Sequence, residues 1–190
     1  MENKRVAFGV CGSFCTFDRA MEQMARLTAA GYRVLPVFSF CASQLDTRFG
    51  KARDHLKRAQ EITGCPAVVT LQGAEPFGPR DLADAMVIAP CTGATLARLA
   101  IGLSDTPVTL AAKSLLRVGR PVVLCPSTND GLGASARNLG DLLNRRNYYA
   151  VPFRQDDAAA KPTSLQSDFD RVEPTLEAAL RGRQLQPVLL

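Results

Sequence analysis

The 190-residue chain contains no tryptophan, and aromatic residues of all kinds make up only 6% of it. Its 23 Lys and Arg against 18 Asp and Glu give a net charge of +5, but the cations are scattered and often neighbour acids. Without a basic stripe interleaved with aromatics, no nucleic-acid partner is expected. The mild positive balance suits small anions instead, such as phosphates or dicarboxylates. No apolar run approaches the roughly 18 residues of a membrane-spanning helix, so no membrane partner is expected either. MENKRVAFGVCGSF places basic residues before an apolar run, yet Val6 to Val10 is too short for a secretory h-region and reads as a strand.

Histidine is nearly absent: His55 is the single one, and no cysteine lies near it in sequence. The six cysteines, Cys11, Cys15, Cys41, Cys65, Cys91 and Cys125, form no C-x-x-C pair. That spacing argues against a zinc site, and no metal ligand is assigned. Reduced thiols in a cytosolic protein are the expectation. Internal repeats and long low-complexity tracts are also missing, and the length fits one domain that buries roughly 70% of its unfolded surface.

What is present is a succession of short apolar runs, each followed by a polar turn and a helical stretch. Arg5 to Val10 is the first predicted strand, followed by Cys11-Gly12-Ser13-Phe14 and a helix marked by Met21, Met24 and Leu27. Gly31 stands where a helix C-cap glycine belongs. Tyr32 to Phe38 is the second strand, though Pro36 counts against a long central one; Ser39 to Ser43 is its exit loop. Lys51 to Ile62 has helical character, and a lone His55 inside it reads as a solvated surface residue. A short β run is predicted from Ala67 to Leu71, and QGAEPFGP (72–79) reads as a loop.

Met86 to Ala89 is the next strand, with Pro90 ending it. Cys91-Thr92-Gly93-Ala94-Thr95 is a turn of small and hydroxyl residues, and Leu96, Leu99 and Leu103 follow at helical spacing. Such a strand-to-helix turn presents unpaired N–H groups and a positive dipole end, which suit an anionic or polar ligand. It is equally readable as a plain turn with Thr95 as the helix cap. Ser104-Asp105-Thr106 is a second polar cluster, and a helix continues to Gly119. Pro121 to Cys125 is a buried-type strand that exits through Pro126-Ser127-Thr128-Asn129-Asp130-Gly131, before a helix from Ala134 to Arg145 and a last strand from Asn147 to Phe153.

Strands alternating with helices predict right-handed βαβ units and a parallel sheet, an α/β fold. Ligands bind such sheets at the carboxyl ends of the strands. The polar exits at Gly12-Ser13, Ser39, Thr92 to Thr95 and Thr128-Asn129 are expected to converge there. Residues 1–153 form the expected α/β domain. Within 154–190, Gln155 to Ser167 reads as an extended segment or arm, and Val172 to Leu180 as a helix with Pro174 in its first turn. The apolar end Val188-Leu189-Leu190 either packs back on the core or docks on another subunit.

Ala89-Pro90-Cys91-Thr92-Gly93-Ala94-Thr95-Leu96-Ala97-Arg98-Leu99-Ala100, followed by Gly102, resembles the A-P-A-T-x-N-T-x-x-K-x-A-x-G signature of the flavin-binding Cys-decarboxylase-type flavoproteins. Gly12-Ser13 resembles that family's first phosphate loop, and Pro126 to Asn129 its P-x-M-N segment. The resemblance implies a three-layer, flavodoxin-like doubly wound sheet with FMN at the strand ends, between subunits of a trimer or a multiple of it. It implies that Gly12, Ser13 and Phe14 hold the phosphate, with Ser39 assisting. Pro90, Thr92 and Thr95 would line the ring or ribityl side, Ser104, Asp105 and Thr106 would close the site, and Asn129 would bond the flavin edge or substrate.

Across nearly the whole chain the similarity is to a branch of the family, the B subunits of two-subunit synthases that form pyridine-2,6-dicarboxylate during sporulation. That branch implies oxidation of a dihydro- or tetrahydropyridine dicarboxylate together with an A subunit, which carries the NAD(P) cofactor. Departures from the family pattern are specific. The position of the decarboxylases' catalytic histidine falls near Pro76, the signature Asn is Ala94, and the signature Met is Thr128. Cysteine decarboxylation by that route is therefore not expected, and no catalytic residue is assigned. Two readings stand ahead of a stand-alone decarboxylase: a flavin-binding redox subunit, and a flavin-free, non-catalytic partner that stabilises or regulates the A subunit.

Overall fold

A computed structural model describes residues 4–190. Five parallel strands form the central sheet. β1 (Arg5–Val10) lies between β2 (Arg33–Phe38) and β3 (Ala85–Cys91), and β3 pairs with β4 (Val122–Thr128), which pairs with β5 (Tyr148–Ala150). The order β2-β1-β3-β4-β5 is the flavodoxin-like doubly wound one.

Side chains alternate between the two faces. Val6, Phe8 and Val10 of β1 face a core completed by α1 (Phe17–Ala29), α3 (Ala52–Thr63) and α8 (Val172–Leu180). Ala7 of the same strand joins Met86, Ile88, Val122 and Leu124 against α5 (Gly93–Ile101), α6 (Pro107–Arg117) and α7 (Ala134–Leu143). Because both faces are covered, β3 is buried along its whole length and reads as a continuous apolar run.

Several local expectations are corrected. Pro90 does not end its strand; β3 continues to Cys91, and its pairing with β4 shifts register between Ile88 and Cys91, where proline has no N–H to give the ladder. Pro36 is tolerated because β2 is the edge of the sheet. The run from Ala67 to Leu71 forms no strand: it makes one bridge, Val68 to Val37, and Leu71 already opens α4 (Leu71–Ala74). The loop expected over 72–79 holds the rest of that helix and a 3₁₀ turn at Glu75–Phe77. α5 stops at Ile101 with Gly102 in the left-handed conformation (φ 75°), so Leu103 lies beyond it.

His55 is buried and not solvated, its ring edge-on to Phe17 at a centroid distance of 4.9 Å. The segment from Asn147 to Phe153 is divided: β5 ends at Ala150, and Phe153 begins β6 (Phe153–Asp157). β6 and β7 (Lys161–Ser167) form an antiparallel hairpin, and β7 pairs with the end of β4 through Ser127–Gln166 and Thr128–Leu165. That pairing carries β4 to Thr128, past the expected end at Cys125, and turns the polar arm into sheet. At the C-terminus, Gln184 bonds both backbone groups of Ala150 at 2.7 and 2.8 Å, and Phe153 exchanges backbone bonds with Val188 and Leu190. These bonds seat the tail against its own chain, while Leu189 and Leu190 stay exposed. All six cysteines are free, and burial pushes the Cys11 and Cys125 thiols up to about 12. Among the described residues no helix is long and apolar enough to cross a membrane.

Candidate functional site

The carboxyl ends of β1, β3 and β4 open into a cavity of about 530 Å³, within the range of small-molecule and cofactor sites. Each strand ends in residues that suit a polar ligand. After β1, the Cys11-Gly12-Ser13 turn closes through a Ser13 N–H bond to the Cys11 carbonyl at 2.8 Å. It presents the Ser13 hydroxyl 3.0 Å from that of Ser127 on β4, across 114 residues of sequence.

After β3, Thr92 caps α5. Its hydroxyl oxygen accepts the Thr95 N–H at 3.3 Å and lies 3.0 Å from the Thr95 hydroxyl. The expected cap at Thr95 is therefore one helical turn early, at Thr92. Gly93 and Ala94 line the cavity, and their N–H groups lie in the first turn of α5, where no helix carbonyl reaches them. After β4, the chain turns through Thr128, Asn129 and Asp130 into α7.

Asp130 organises this corner. One of its oxygens accepts hydroxyl bonds from Thr128 and from Ser135, the latter at 2.9 Å. The Thr128 bond, working against partial burial and aided by Ser135, holds this carboxyl below the usual carboxylate range. Gly93 abuts the cluster so closely that a Cβ there would lie 2.5 Å from the Ser135 hydroxyl and 2.6 Å from the Asp130 oxygen.

The remaining wall comes from the hairpin. Ser164, Leu165 and Gln166 face the cavity, and at its rim the Lys161 ammonium donates to Asp156 at 2.7 Å. That bond raises the Lys161 pKa. The cavity therefore offers hydroxyl, amide and N–H donors, two carboxylates and one cation that is already paired.

Of the residues expected from sequence, Gly12, Ser13, Thr92 and Asn129 line this cavity together. Pro90 and Thr95 are buried and do not line it. Phe14 opens a 3₁₀ turn and packs on the core, its ring 5.0 Å from that of Phe17. Ser39 is buried as the N-cap of the five-residue α2 (Phe40–Gln44). Ser104, Asp105 and Thr106 lie apart: Ser104 lines a different cavity, Asp105 pairs with Arg98 at 2.9 Å, and Thr106 forms a capping box with Thr109. Pro76, at the position of the absent histidine, sits in the 3₁₀ turn that packs on α6.

Sequence reasoning missed Cys15, Asp130, Asp156 and Ser164 to Gln166 of β7 as lining residues. One local signal was available for the hairpin. Asp157 accepts the N–H groups of Ala159 and Ala160 at 3.1 and 2.9 Å, the turn-forming use of an aspartate followed by small residues.

Comparison with known proteins agrees with this architecture. A family model described as Flavoprotein matches residues 1–147. The B subunit of the dipicolinate synthase of Bacillus subtilis (strain 168) is 41% identical over 190 residues, covering all of this chain and 95% of that protein. The crystal structure of the dipicolinate synthase B subunit from Bacillus halodurans is 42% identical, with a TM-score of 0.91 over 98% of this chain and 96% of that one. An FMN-dependent cysteine decarboxylase, 22% identical with a TM-score of 0.64 over 93% of this chain and 97% of its own, shares the fold. On the family match and the full-length relative, this chain belongs to the flavoprotein family.

Proposed function

We propose that this chain is the flavoprotein subunit of a dipicolinate synthase. It binds FMN at the carboxyl ends of β1, β3 and β4 and acts, together with the A subunit, as an oxidoreductase on a dihydro- or tetrahydropyridine dicarboxylate. The observation that carries the reading is the convergence of Gly12-Ser13, Thr92 to Ala94 and Ser127 to Asn129 on one cavity, in a chain 41% identical to such a B subunit.

The donor set fits a phosphate-bearing planar cofactor. The hydroxyls of Ser13 and Ser127 and the free N–H groups of α5 suit the phosphate or ribityl oxygens, and the Asn129 amide suits the ring edge or a substrate carboxylate. A bound flavin would supply a two-electron acceptor, which matches aromatisation of a dihydropyridine ring; a tetrahydropyridine would need two such oxidations. The chain's own residues orient the two rings and exclude water: Leu165 and Ala94 give the apolar wall, and Lys161 at the rim pairs a substrate carboxylate in exchange for Asp156. The NAD(P) cofactor belongs to the A subunit. Assembly as a homotrimer or a multiple of it follows the resemblance, and a related FMN-dependent UbiX-like decarboxylase of Escherichia coli is dodecameric. The cytoplasm of a sporulating mother cell is the proposed setting.

A second reading, a flavin-free partner of the A subunit, draws support from the two carboxylates in the cavity and from Ala94 at the signature asparagine. One experiment separates the two. The visible spectrum of the purified chain, with chromatography of released cofactor, shows flavin near one equivalent if the first reading holds, and Ser13→Ala and Asn129→Ala weaken its retention. A colourless chain that takes up no added FMN refutes it.

A further inference from the structure

A second cavity, of about 520 Å³, opens beside the first residues of β5, at the opposite end of the sheet from the candidate site. Its floor is apolar, made by Leu99, Leu103, Leu116 and the Tyr148 ring. Around that floor stand four cations, Lys113, Arg117, Arg145 and Arg146, and no acidic residue lines the cavity.

Helix ends account for part of this charge. Arg145 donates to the carbonyls of Leu99 and Ala100 and so closes the C-terminal turn of α5. Arg117 lies in the last turn of α6, where a cation complements the helix dipole. Neither reason applies to Lys113, a turn earlier, or to Arg146, in the loop before β5. Among the described residues none of the four forms an ion pair, whereas Arg98, close by on α5, is paired with Asp105. A concave surface lined by one sign of charge over an apolar floor concentrates counter-ions of matching shape.

We propose that this cavity binds a dianion with a planar aromatic ring, stacked on the Leu99–Leu116–Tyr148 floor with its charges held by Arg117, Arg146 and Lys113. Planar guanidinium forks match carboxylate and phosphate oxygens equally, so the two sources of such a ligand are an aromatic dicarboxylate and a nucleoside monophosphate. The inference is independent of whether flavin fills the first cavity.

Titration calorimetry on the full chain tests it with pyridine-2,6-dicarboxylate, AMP and benzoate. At least one dianion is expected to bind with a submillimolar Kd, and benzoate at least about tenfold more weakly. Arg117→Ala/Arg146→Ala is expected to weaken the dianion by about tenfold or more, and Lys113→Ala/Arg146→Ala to do the same. Both pairs leave Arg145 intact, because it holds the end of α5, and circular dichroism checks that each variant is folded. Because the first cavity can itself take a dianion, the deciding signal is dianion binding that survives in Ser13→Ala/Asn129→Ala and is lost in the arginine pairs. Which dianion depends on the arginines decides between the two sources. The proposal is overturned if neither dianion binds by about 10 mM, or if benzoate binds as well. It is also overturned if all dianion binding is lost in Ser13→Ala/Asn129→Ala and none of it in the arginine pairs.

Discussion

Gly93→Ala should destabilise the protein although alanine is the better helix former. The added Cβ would lie 2.5 Å from the Ser135 hydroxyl, 2.6 Å from the Asp130 oxygen and 2.8 Å from the Thr128 hydroxyl. Ordinary contact begins near 3.4 Å, so these atoms must retreat by about 0.6–0.9 Å. None is the free end of a flexible chain, because Ser135 and Thr128 are both bonded to Asp130. Overpacking of this kind costs about 1–3 kcal/mol, and a weakened hydrogen bond to a carboxylate adds about 1.5 kcal/mol or more. The helix-propensity gain offsets at most about 1 kcal/mol. A net loss near 2 kcal/mol corresponds to a fall of about 4–8 °C in Tm for a domain of this size. Gly140→Ala, in α7 with nothing within 4 Å of the place its new methyl would occupy, should change stability in the opposite direction by up to about 1 kcal/mol. Thermal and urea denaturation of the two variants side by side is the assay. Equal stability of Gly93→Ala and wild type, or equal losses in both variants, would refute the packing argument.

Three further outcomes follow from the same structure. The folded-state carboxyl of Asp130 lies below its unfolded value, so its stabilising contribution is present above about pH 4 and is lost as pH falls through the folded value. Asp130→Asn should therefore lower the urea midpoint near neutrality and flatten its decline below about pH 4; an unchanged slope would count against the Thr128–Asp130–Ser135 cluster. Leu176→Ala on α8, fully buried against the sheet, should cost about 2–5 kcal/mol in urea unfolding, and a negligible loss would mean that the helix does not dock there. Thr106→Ala removes a capping box and should cost about 1 kcal/mol while leaving FMN retention unchanged; a matching loss of flavin would bring residues 104–106 back into the site.

The strand exits were readable because their signals are local. An apolar run such as AMVIA followed by C-T-G-A-T places a polar turn at a strand end whatever surrounds it, and Gly12-Ser13, Thr92 and Asn129 duly share one cavity. Ser104 to Thr106 carried the same kind of signal, hydroxyls beside a helix start, yet Thr106 spends its hydroxyl on Thr109 and Asp105 is held by Arg98. A capping residue and a ligand-binding residue look alike in sequence because both supply an oxygen to unpaired N–H groups. His55 misled for a related reason. Its helix is charged on most sides, and only the packing of α1 on α3 shows that this one position turns toward Phe17.

By itself, then, the sequence determined the βαβ alternation, the flavoprotein-type strand exits and the absence of a histidine near residue 76, since each depends on residues within one or two turns of each other. Tertiary structure decided what closes the site. The hairpin of β6 and β7 reads as a polar arm until Leu165 and Gln166 pair with Thr128 and Ser127. Ser13 reaches Ser127 across 114 residues, and the Thr163 hydroxyl donates to the Asn129 carbonyl across 34. Local propensity carries no record of such partners, because the free energy that orders the hairpin is gained only when β4 is already in place to receive it.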